Sequence, residues 1–338
     1  MISQNEIPTF RYNTENFHFI VKSNVENDSA FDSILQRAWK QAEKVGAFRY
    51  NLNIRSSKTL RGRYRFLAQF NPERGHCRRA PESITFMRQP FDPARFNFTK
   101  LSQKEILFDV GNGDLNDVVA INSSPLESGH CLLLSERLKC LPQVMTEYSL
   151  LKAVELCLLS SSWSLRIVFN SLCAFASVNH LHWHLYYLRY EMLLEYINIC
   201  DYIKGVHLLV DYPAKGFCLK LSDFKDITDF VSRAICLVNY LQSREIPHNT
   251  CITRAKSKPG DELYDDVRIY IWARKPSGSK NTISYYPAVC EFLGHLSIRD
   301  EDPYNNLTED GVVNDLNEAT EEYFLLMKNE LKSVLNQP

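Results

Sequence analysis

The stretch His180-Leu181-His182-Trp183-His184 decides the fold, because it holds three of the nine histidines of this 338-residue chain in alternation with large apolar residues. Side chains alternate between the two faces of an extended strand. The three imidazoles are therefore expected on one face, and Leu181, Trp183 and the following Leu185 on the other face, in a core. A helix would scatter these residues around its axis, and the β-branched and aromatic neighbours favour a strand, which we place at residues 175–188.

A row of imidazoles on a strand is compatible with three roles. Neutral imidazole is a good ligand for zinc and similar ions, but a tetrahedral site needs further ligands, and no cysteine or carboxylate lies at short spacing nearby. Imidazole is also a nucleophile, whose neighbours can fix its tautomer or supply a proton. The third interpretation is a strand whose exposed positions happen to be histidine. The residues favour the nucleophile and leave the other two open.

The pattern His-apolar-His-apolar-His-apolar-apolar resembles the signature of the histidine triad superfamily of nucleotide hydrolases and transferases. In that superfamily the middle histidine takes a nucleoside monophosphate covalently from a phosphoanhydride or phosphoramidate. The resemblance therefore implies that His182 is the nucleophile and that His180 and His184 are catalytic residues beside it, with His180 orienting His182 directly or through the backbone.

The resemblance extends upstream of the triad. Residues 118–125 and 129–134 look like the first strand pair of the superfamily, in which an acidic or amide residue before the turn holds the ribose hydroxyls. That residue is Asn122 here. Asn170 and Ser177 stand where the superfamily contacts the α-phosphate, so the resemblance implies that both bind the substrate.

Five further blocks resemble one branch of the superfamily, the GDP-hexose phosphorylases of animals and plants. The blocks are residues 70–74, 88–93, 96–100, 177–182 and 246–249. They imply phosphorolysis of GDP-D-glucose by inorganic phosphate to GDP and glucose 1-phosphate, through a covalent guanylyl-histidine. The alternatives are a nucleoside diphosphate sugar hydrolase that releases GMP and a nucleotide-binding protein without turnover. The identity of the hexose and the residues that read guanine stay open.

Two departures from related enzymes qualify this picture. The plant branch and galactose-1-phosphate uridylyltransferase carry glutamine at the third triad position, where this chain has His184, so hydrolysis as a side activity stays open. The uridylyltransferase also has a Cys-x-x-Cys pair that contributes to a structural metal, and this sequence has none. We therefore expect neither a structural zinc nor a cofactor.

Charge and cysteine usage bound the partners. Lys plus Arg at 39 against Asp plus Glu at 40 gives a net charge of -1, which argues against a general role on nucleic acid or a membrane surface. Arg74, Arg78, Arg79 and Arg88 form a local basic cluster, interpreted either as a solvated loop or as clamps on phosphate, with Arg74 taken as substrate-binding. The ten cysteines are scattered and no signal peptide is evident, so we expect a cytoplasmic protein.

Periodicity along the chain predicts an α+β fold of antiparallel sheets with packed helices, two of which we place at Ser29 to about Val45 and at Leu141 to about Ser160. A polar arm at residues 1–28 precedes a catalytic half at 29–200 and a second half at 201–338, which looks like a degenerate repeat that ends in a helix. Arg268, Tyr270 and Trp272 replace the histidines in this second half. Fusion of the two halves predicts a monomer or a weak dimer. We expect packing or capping roles for the isolated histidines, which are His130, His248 and His295, whereas the resemblance places His130 and His248 near the pocket without fixing a role for either.

Overall fold

The computed structural model describes residues 7–24, 28–77, 79, 82–277 and 285–335. Arg78 of the predicted basic cluster lies outside these residues, as do parts of the predicted N-terminal arm. The strands are β1 Val21–Lys22, β2 Ser56–Thr59, β3 Leu67–Phe70, β4 Ile106–Asp109, β5 Val118–Ile121, β6 Cys131–Leu134, β7 Leu165–Asn170, β8 Trp183–Tyr187, β9 Cys200–Ile203, β10 Val206–Leu209, β11 Gly216–Lys220, β12 His248–Ala255, β13 Leu263–Tyr264, β14 Asp266–Ala273 and β15 His295–Ile298. The α-helices are α1 Ala30–Lys44, α2 Pro72–Cys77, α3 Glu147–Leu159, α4 Ile227–Ser243, α5 Val289–Leu293, α6 Glu301–Asn306 and α7 Glu309–Leu335.

One antiparallel sheet runs through both halves of the chain, in the order β4-β5-β6-β8-β7-β12-β14-β11-β10-β9. The halves meet where β7 pairs with β12, which brings Asn170 opposite Asn249. Outward from this pair, the first half runs β8, β6, β5, β4 and the second half runs β14, β11, β10, β9. The predicted α+β fold with a repeated second half is confirmed, and β14 is the counterpart of the triad strand β8.

Helices cover one face of this sheet. Helix α1 starts at the cap Ser29, whose side chain accepts a hydrogen bond from Asp32 N, close to the predicted start of the helix. Helix α3 starts later than the predicted Leu141, because Thr146 caps it and the residues before it contact the triad segment. Together, α1, α3, α4 and the sheet enclose the largest apolar core.

A second core lies on the opposite face of the sheet, under a small three-stranded sheet. In this small sheet β3 lies between β2 and β15, with β15 parallel to β3. Helix α5 leads directly into β15 and contacts β7 and β12, and α6 packs on β3. This layer brings residues of β3 and β15, which are far apart in the sequence, next to the triad. Across the described ranges, the helices include none with the length and apolar character needed to cross a membrane.

Candidate active site

A cavity of about 470 Å³ opens between the start of β8, helix α5 and the loops that precede β4. This volume lies within the range usual for small-molecule sites. Six of the seven residues proposed from the sequence line it, namely Arg74, Asn122, Asn170, Ser177, His182 and His184. The seventh, His180, is buried beside the lining and contacts it through Phe98 and His182.

The triad strand is shorter than predicted. Strand β8 starts at Trp183, so His180 and His182 precede it, although Leu181, Trp183 and Leu185 all lie in the large core as expected. The reason is Gln143, a buried side chain that takes the place of a neighbouring strand. Its Oε1 accepts from His182 N at 2.8 Å, and its Nε2 donates to the carbonyl oxygen of His182 at 3.0 Å.

Hydrogen bonds assign the tautomers of the first two triad histidines. His180 Nδ1 accepts from Phe98 N at 3.0 Å, so its proton sits on Nε2, which donates to the Arg137 carbonyl at 3.0 Å. His182 Nδ1 lies 2.7 Å from the carbonyl oxygen of His180 and therefore carries the proton of that ring. The Nε2 lone pair of His182 is thus left for the cavity, as a nucleophile requires.

A second chain of contacts assigns His184. His130 Nδ1 accepts from Leu126 N at 2.9 Å, which leaves a proton on His130 Nε2, 3.2 Å from His184 Nδ1. Asn122 Oδ1 accepts from Ser124 N, and its Nδ2 lies 3.2 Å from the same His184 Nδ1. His184 therefore accepts at Nδ1 and presents Nε2–H as a donor. Asn122, expected on the ribose, contacts this histidine pair as well as the cavity.

Burial keeps the imidazoles of the site neutral. It lowers the pKa of His182 to about 4 and that of His180 to about 4. It also lowers the pKa of His184 and of His130 well below the usual value, helped by the neighbouring imidazoles and by the Arg74 guanidinium. At neutral pH His182 is therefore an unprotonated imidazole beside neutral donors.

Asn170 is held by the second half of the chain. Its Oδ1 accepts from Asn249 Nδ2 at 2.7 Å and from Val289 N at 3.1 Å, which leaves Nδ2 available to a ligand. Ser177, expected beside the α-phosphate, is exposed at the cavity wall. The loop before it takes positive φ angles at Cys173 (57°) and Phe175 (71°), conformations that cost energy for residues other than glycine.

The basic cluster divides in the structure. Arg74 and Arg79 line the cavity, and Arg79 lies over the ring of Phe96. Arg88 points away and donates to the last carbonyls of α4, so its functional interpretation does not fit this cavity. Arg299, which the sequence gave no reason to choose, also lines the cavity. The arginines that line the cavity therefore come from two distant segments and not from the one predicted cluster.

Of the isolated histidines, only His130 lines the cavity. His248 is buried, with Nδ1 3.1 Å from the Ile246 carbonyl, and His295 is buried, with Nε2 2.6 Å from Gln69 Oε1. Both fit the predicted packing role, whereas the contact of His130 with His184 goes beyond it. In the described part of the chain, no three His, Cys, Asp or Glu residues are grouped to hold a metal ion.

Two family models cover nearly the whole chain. The model described as GDPGP1-like, N-terminal domain, matches residues 30–186, and GDPGP1-like, C-terminal domain, matches residues 195–337. The chain belongs to the GDPGP1-like family. The resemblance found in the sequence blocks is therefore confirmed.

Curated relatives agree with this assignment, and one solved structure shares the fold. The chain is 40% identical over 301 residues to GDP-D-glucose phosphorylase 1 of Homo sapiens, covering 84% of this chain and 78% of that relative. It is 31% identical over 331 residues to GDP-L-galactose phosphorylase 2 of Arabidopsis thaliana, covering 88% and 75%. Yeast Ap4A phosphorylase in complex with Ap4A shares the fold, with a TM-score of 0.62 at 16% identity, over 86% of this chain and 97% of that one.

Proposed function

We propose that this protein is a GDP-hexose phosphorylase that converts GDP-D-glucose and inorganic phosphate into GDP and glucose 1-phosphate. The observation that carries the proposal is His182, a neutral imidazole whose Nδ1–H is 2.7 Å from the His180 carbonyl and whose other nitrogen is left for the cavity. The names of relatives at 31% to 40% identity support the choice of a GDP-sugar as the substrate.

In the first step His182 Nε2 attacks the α-phosphorus. A bond forms between nitrogen and phosphorus, and the bond from phosphorus to the oxygen of glucose 1-phosphate breaks. The leaving phosphate needs little protonation, because it is already a good leaving group. The positive charge that develops on the His182 ring is met by the His180 carbonyl at Nδ1–H.

Fixed donors meet the negative charge on the α-phosphate oxygens. We assign this role to the Nε2–H of His184, the Nδ2 of Asn170 and the hydroxyl of Ser177, with the Arg74 guanidinium on the leaving phosphate. In the second step an oxygen of inorganic phosphate attacks the same phosphorus, the N–P bond breaks, and GDP leaves. Asn122 is assigned to the ribose hydroxyls through its remaining amide hydrogen and lone pair.

The proposal also covers the assembly and its surroundings. Residues of both halves line one cavity and β7 pairs with β12, so one chain supplies a whole site and a monomer suffices. All ten cysteines are free thiols, which suits a reducing compartment such as the cytoplasm. GDP-hexose and inorganic phosphate are the only partners that the reaction needs.

Mass spectrometry of the intact protein tests the chemistry directly. After mixing with GDP-glucose in phosphate-free buffer, the chain is expected to gain one GMP, and added phosphate is expected to remove it with release of GDP. The control is His182→Ala, which keeps the backbone bonds to Gln143 but offers no nucleophile. Steady release of GMP without an adduct would indicate a hydrolase, and the absence of both adduct and product would indicate a nucleotide-binding protein.

A further inference from the structure

The two ends of the cavity differ in chemistry. One end is lined mainly by a small apolar cluster around Phe98, with Arg79 over the Phe96 ring and Glu105 acting on Arg79; the cavity-lining members of the cluster are Phe96, Phe98, Leu101, Leu132 and Val178. The other end is polar and comes from β3, α2, α5 and β15; its polar members include Asn71, Arg74, Glu291 and Ser297. A flat purine suits the first end, and a group rich in hydroxyls suits the second.

Contacts place these ends on opposite sides of the reacting histidine. The Phe98 ring lies 5.0 Å from the His182 ring, which lies 5.1 Å from the ring of His184. Beyond His184 come Asn122, whose Oδ1 accepts from Ser124 N, and then Arg74, which donates to the Ser124 carbonyl. Arg74 N donates to Asn71 Oδ1, and Asn71 N donates to the carbonyl of Ile298 on β15, where the backbone of the preceding Ser297 bonds the Glu291 carboxyl group. A nucleotide sugar with guanine near Phe98 and its α-phosphate at His182 therefore places its leaving phosphate by Arg74 and its hexose by Glu291.

Glu291 is a buried carboxyl group that the reaction as described above leaves without a role. It is 6% exposed and lines the cavity, and no cation of the described residues forms an ion pair with it. Its Oε2 accepts from Ala288 N at 3.1 Å, which fixes the side chain. Burial raises the pKa of Glu291 to about 7, and backbone N–H groups and Arg74 oppose that rise.

Asn71 supplies an independent sign of a ligand at the same end. It is 2% exposed, its Oδ1 accepts from Arg74 N at 3.2 Å, and it lines the cavity. Its Nδ2 is buried beside the Tyr50 hydroxyl but forms no hydrogen bond of normal geometry among the described residues. A buried donor without a partner is costly, and an oxygen atom of a ligand in the cavity would satisfy it.

We propose that Glu291 and Asn71 form the hexose subsite of this enzyme, with the Glu291 carboxylate accepting from sugar hydroxyls and Asn71 Nδ2 donating to a sugar oxygen. The inference rests on the proposed function and adds the residues that read the sugar. Paired acceptors and donors at fixed positions are what discrimination between hydroxyl orientations requires. Guanine is the other group that could pair with a carboxylate, but its flat faces match the Phe98 end.

Two assays distinguish effects on sugar binding from effects on nucleotide binding. Phosphorolysis of GDP-glucose needs the hexose subsite, whereas exchange of labelled inorganic phosphate into the β-phosphate of GDP uses only the second half-reaction. For Glu291→Gln we expect kcat/KM for GDP-glucose to fall about 10- to 100-fold, the loss typical of a hydrogen bond to a charged group, with phosphate–GDP exchange close to the wild-type rate. Asn71→Ser, which can still cap Arg74 N, is expected to shift the same ratio less.

Glu105→Gln is the matched control, because Glu105 is a carboxylate that lines the same cavity and already accepts from Ser102 N. It is expected to leave the ratio of the two reactions unchanged. An equal loss of both reactions in Glu291→Gln would place Glu291 at the nucleotide or in the fold, and no loss in either would remove it from the site. Both results overturn the inference.

Binding measurements distinguish a failure of the hexose subsite from a failure of the proposed function. A wild-type protein that exchanges no phosphate into GDP would refute the phosphorylase. Calorimetry with GDP-glucose and with GDP would still decide the subsite, because Glu291→Gln is expected to weaken only GDP-glucose. Equal affinities of wild type and Glu291→Gln for GDP-glucose would overturn the inference whatever reaction the protein catalyses.

Discussion

Strands β8 and β14 occupy equivalent places in the two halves of one sheet, but the polar side chains on the two strands make different contacts. On the β8 side His182 and His184 keep one ring nitrogen each for a cavity. On β14 the three side chains that replace the histidines each donate to a backbone carbonyl, although the Nε of Arg268 is buried without a hydrogen-bond partner among the described residues. Arg268 Nη1 donates to Ile197 at 2.9 Å, Tyr270 OH to Leu194 at 2.6 Å, and Trp272 Nε1 to Ala214 at 2.9 Å.

The other faces of the two strands are alike. Leu185 on β8 and Ile269 and Ile271 on β14 lie in the same large core. Apolar alternation has thus kept both strands in the sheet, whereas the polar alternation differs. On β14 the polar face fastens the chain segments around Leu194 and Ala214, and on β8 it remains open to a ligand. Unsatisfied donors and acceptors therefore indicate a candidate functional face only where they border a cavity, as those of His182 and His184 do.

Removal of His182 is the largest expected effect on this comparison. His182→Asn is expected to lower kcat for GDP-glucose at least about a thousandfold, because loss of a catalytic nucleophile has an effect of this order or more in other enzymes. Initial rates of GDP release measure it, and an unchanged thermal unfolding curve controls for folding. Turnover within tenfold of wild type would mean that His182 is not a nucleophile. The triad segment would then differ from β14 only in packing.

Removal of His130 tests the tautomer chain behind β8. His130→Ala takes away the Nε2–H that lies 3.2 Å from His184 Nδ1, so the donor that His184 presents to the substrate loses its orientation. We expect kcat to fall about 10- to 100-fold, less than the loss of a transition-state donor itself, with little change in KM. His130→Gln keeps an acceptor and a donor and is expected to recover part of the rate. Equal kcat values for His130→Ala and His130→Gln would show that the hydrogen bond to His184 does not affect the rate. His130 would then be a packing residue.

What the sequence predicted well is what local pattern encodes. The alternation of Leu181, Trp183 and Leu185 with histidines identified the strand, the core face and the cavity face, and the spacing of apolar residues located α1. These features depend on neighbours within a few positions. The same reasoning identified β14 as a counterpart of β8, because its alternation is visible without knowledge of its contacts.

What the sequence missed depends on contacts between distant positions. Gln143 delays the start of β8 by binding the backbone of His182, and no spacing rule connects the two residues. His130 looked isolated because its partner His184 is 54 positions away. Glu291 and Arg299 enter the cavity only because α5 and β15 pack beside β3 and β7. Such residues become visible once the fold places unsatisfied polar atoms around one space.

A fall in pH is expected to lower the free energy of unfolding by protonation of the buried histidines, before it acts on the polar side chains of β14. Burial sets the pKa of His180, His182 and His248 at about 4, below the unfolded value near 6.5. Their contribution to the free energy of unfolding is therefore complete above pH 6.5 and is lost as pH falls towards 4, by up to about 2 kcal/mol per site at pH 5. Urea unfolding at pH 7 and pH 5 measures this loss, and His248→Asn should reduce it by one site.

The smallest expected effect comes from the β14 side. Tyr270→Phe removes the hydroxyl that donates to the Leu194 carbonyl, but this carbonyl keeps Arg268 Nη1 within 3.4 Å. We expect the free energy of unfolding to fall by about 1 kcal/mol, the usual net value of one hydrogen bond, with kcat and KM for GDP-glucose unchanged. Urea unfolding and initial rates on the same preparation measure both. A fall in kcat comparable to that of His130→Ala would show that β14 affects the reaction, because polar side chains used only for packing are expected to change stability and not kcat.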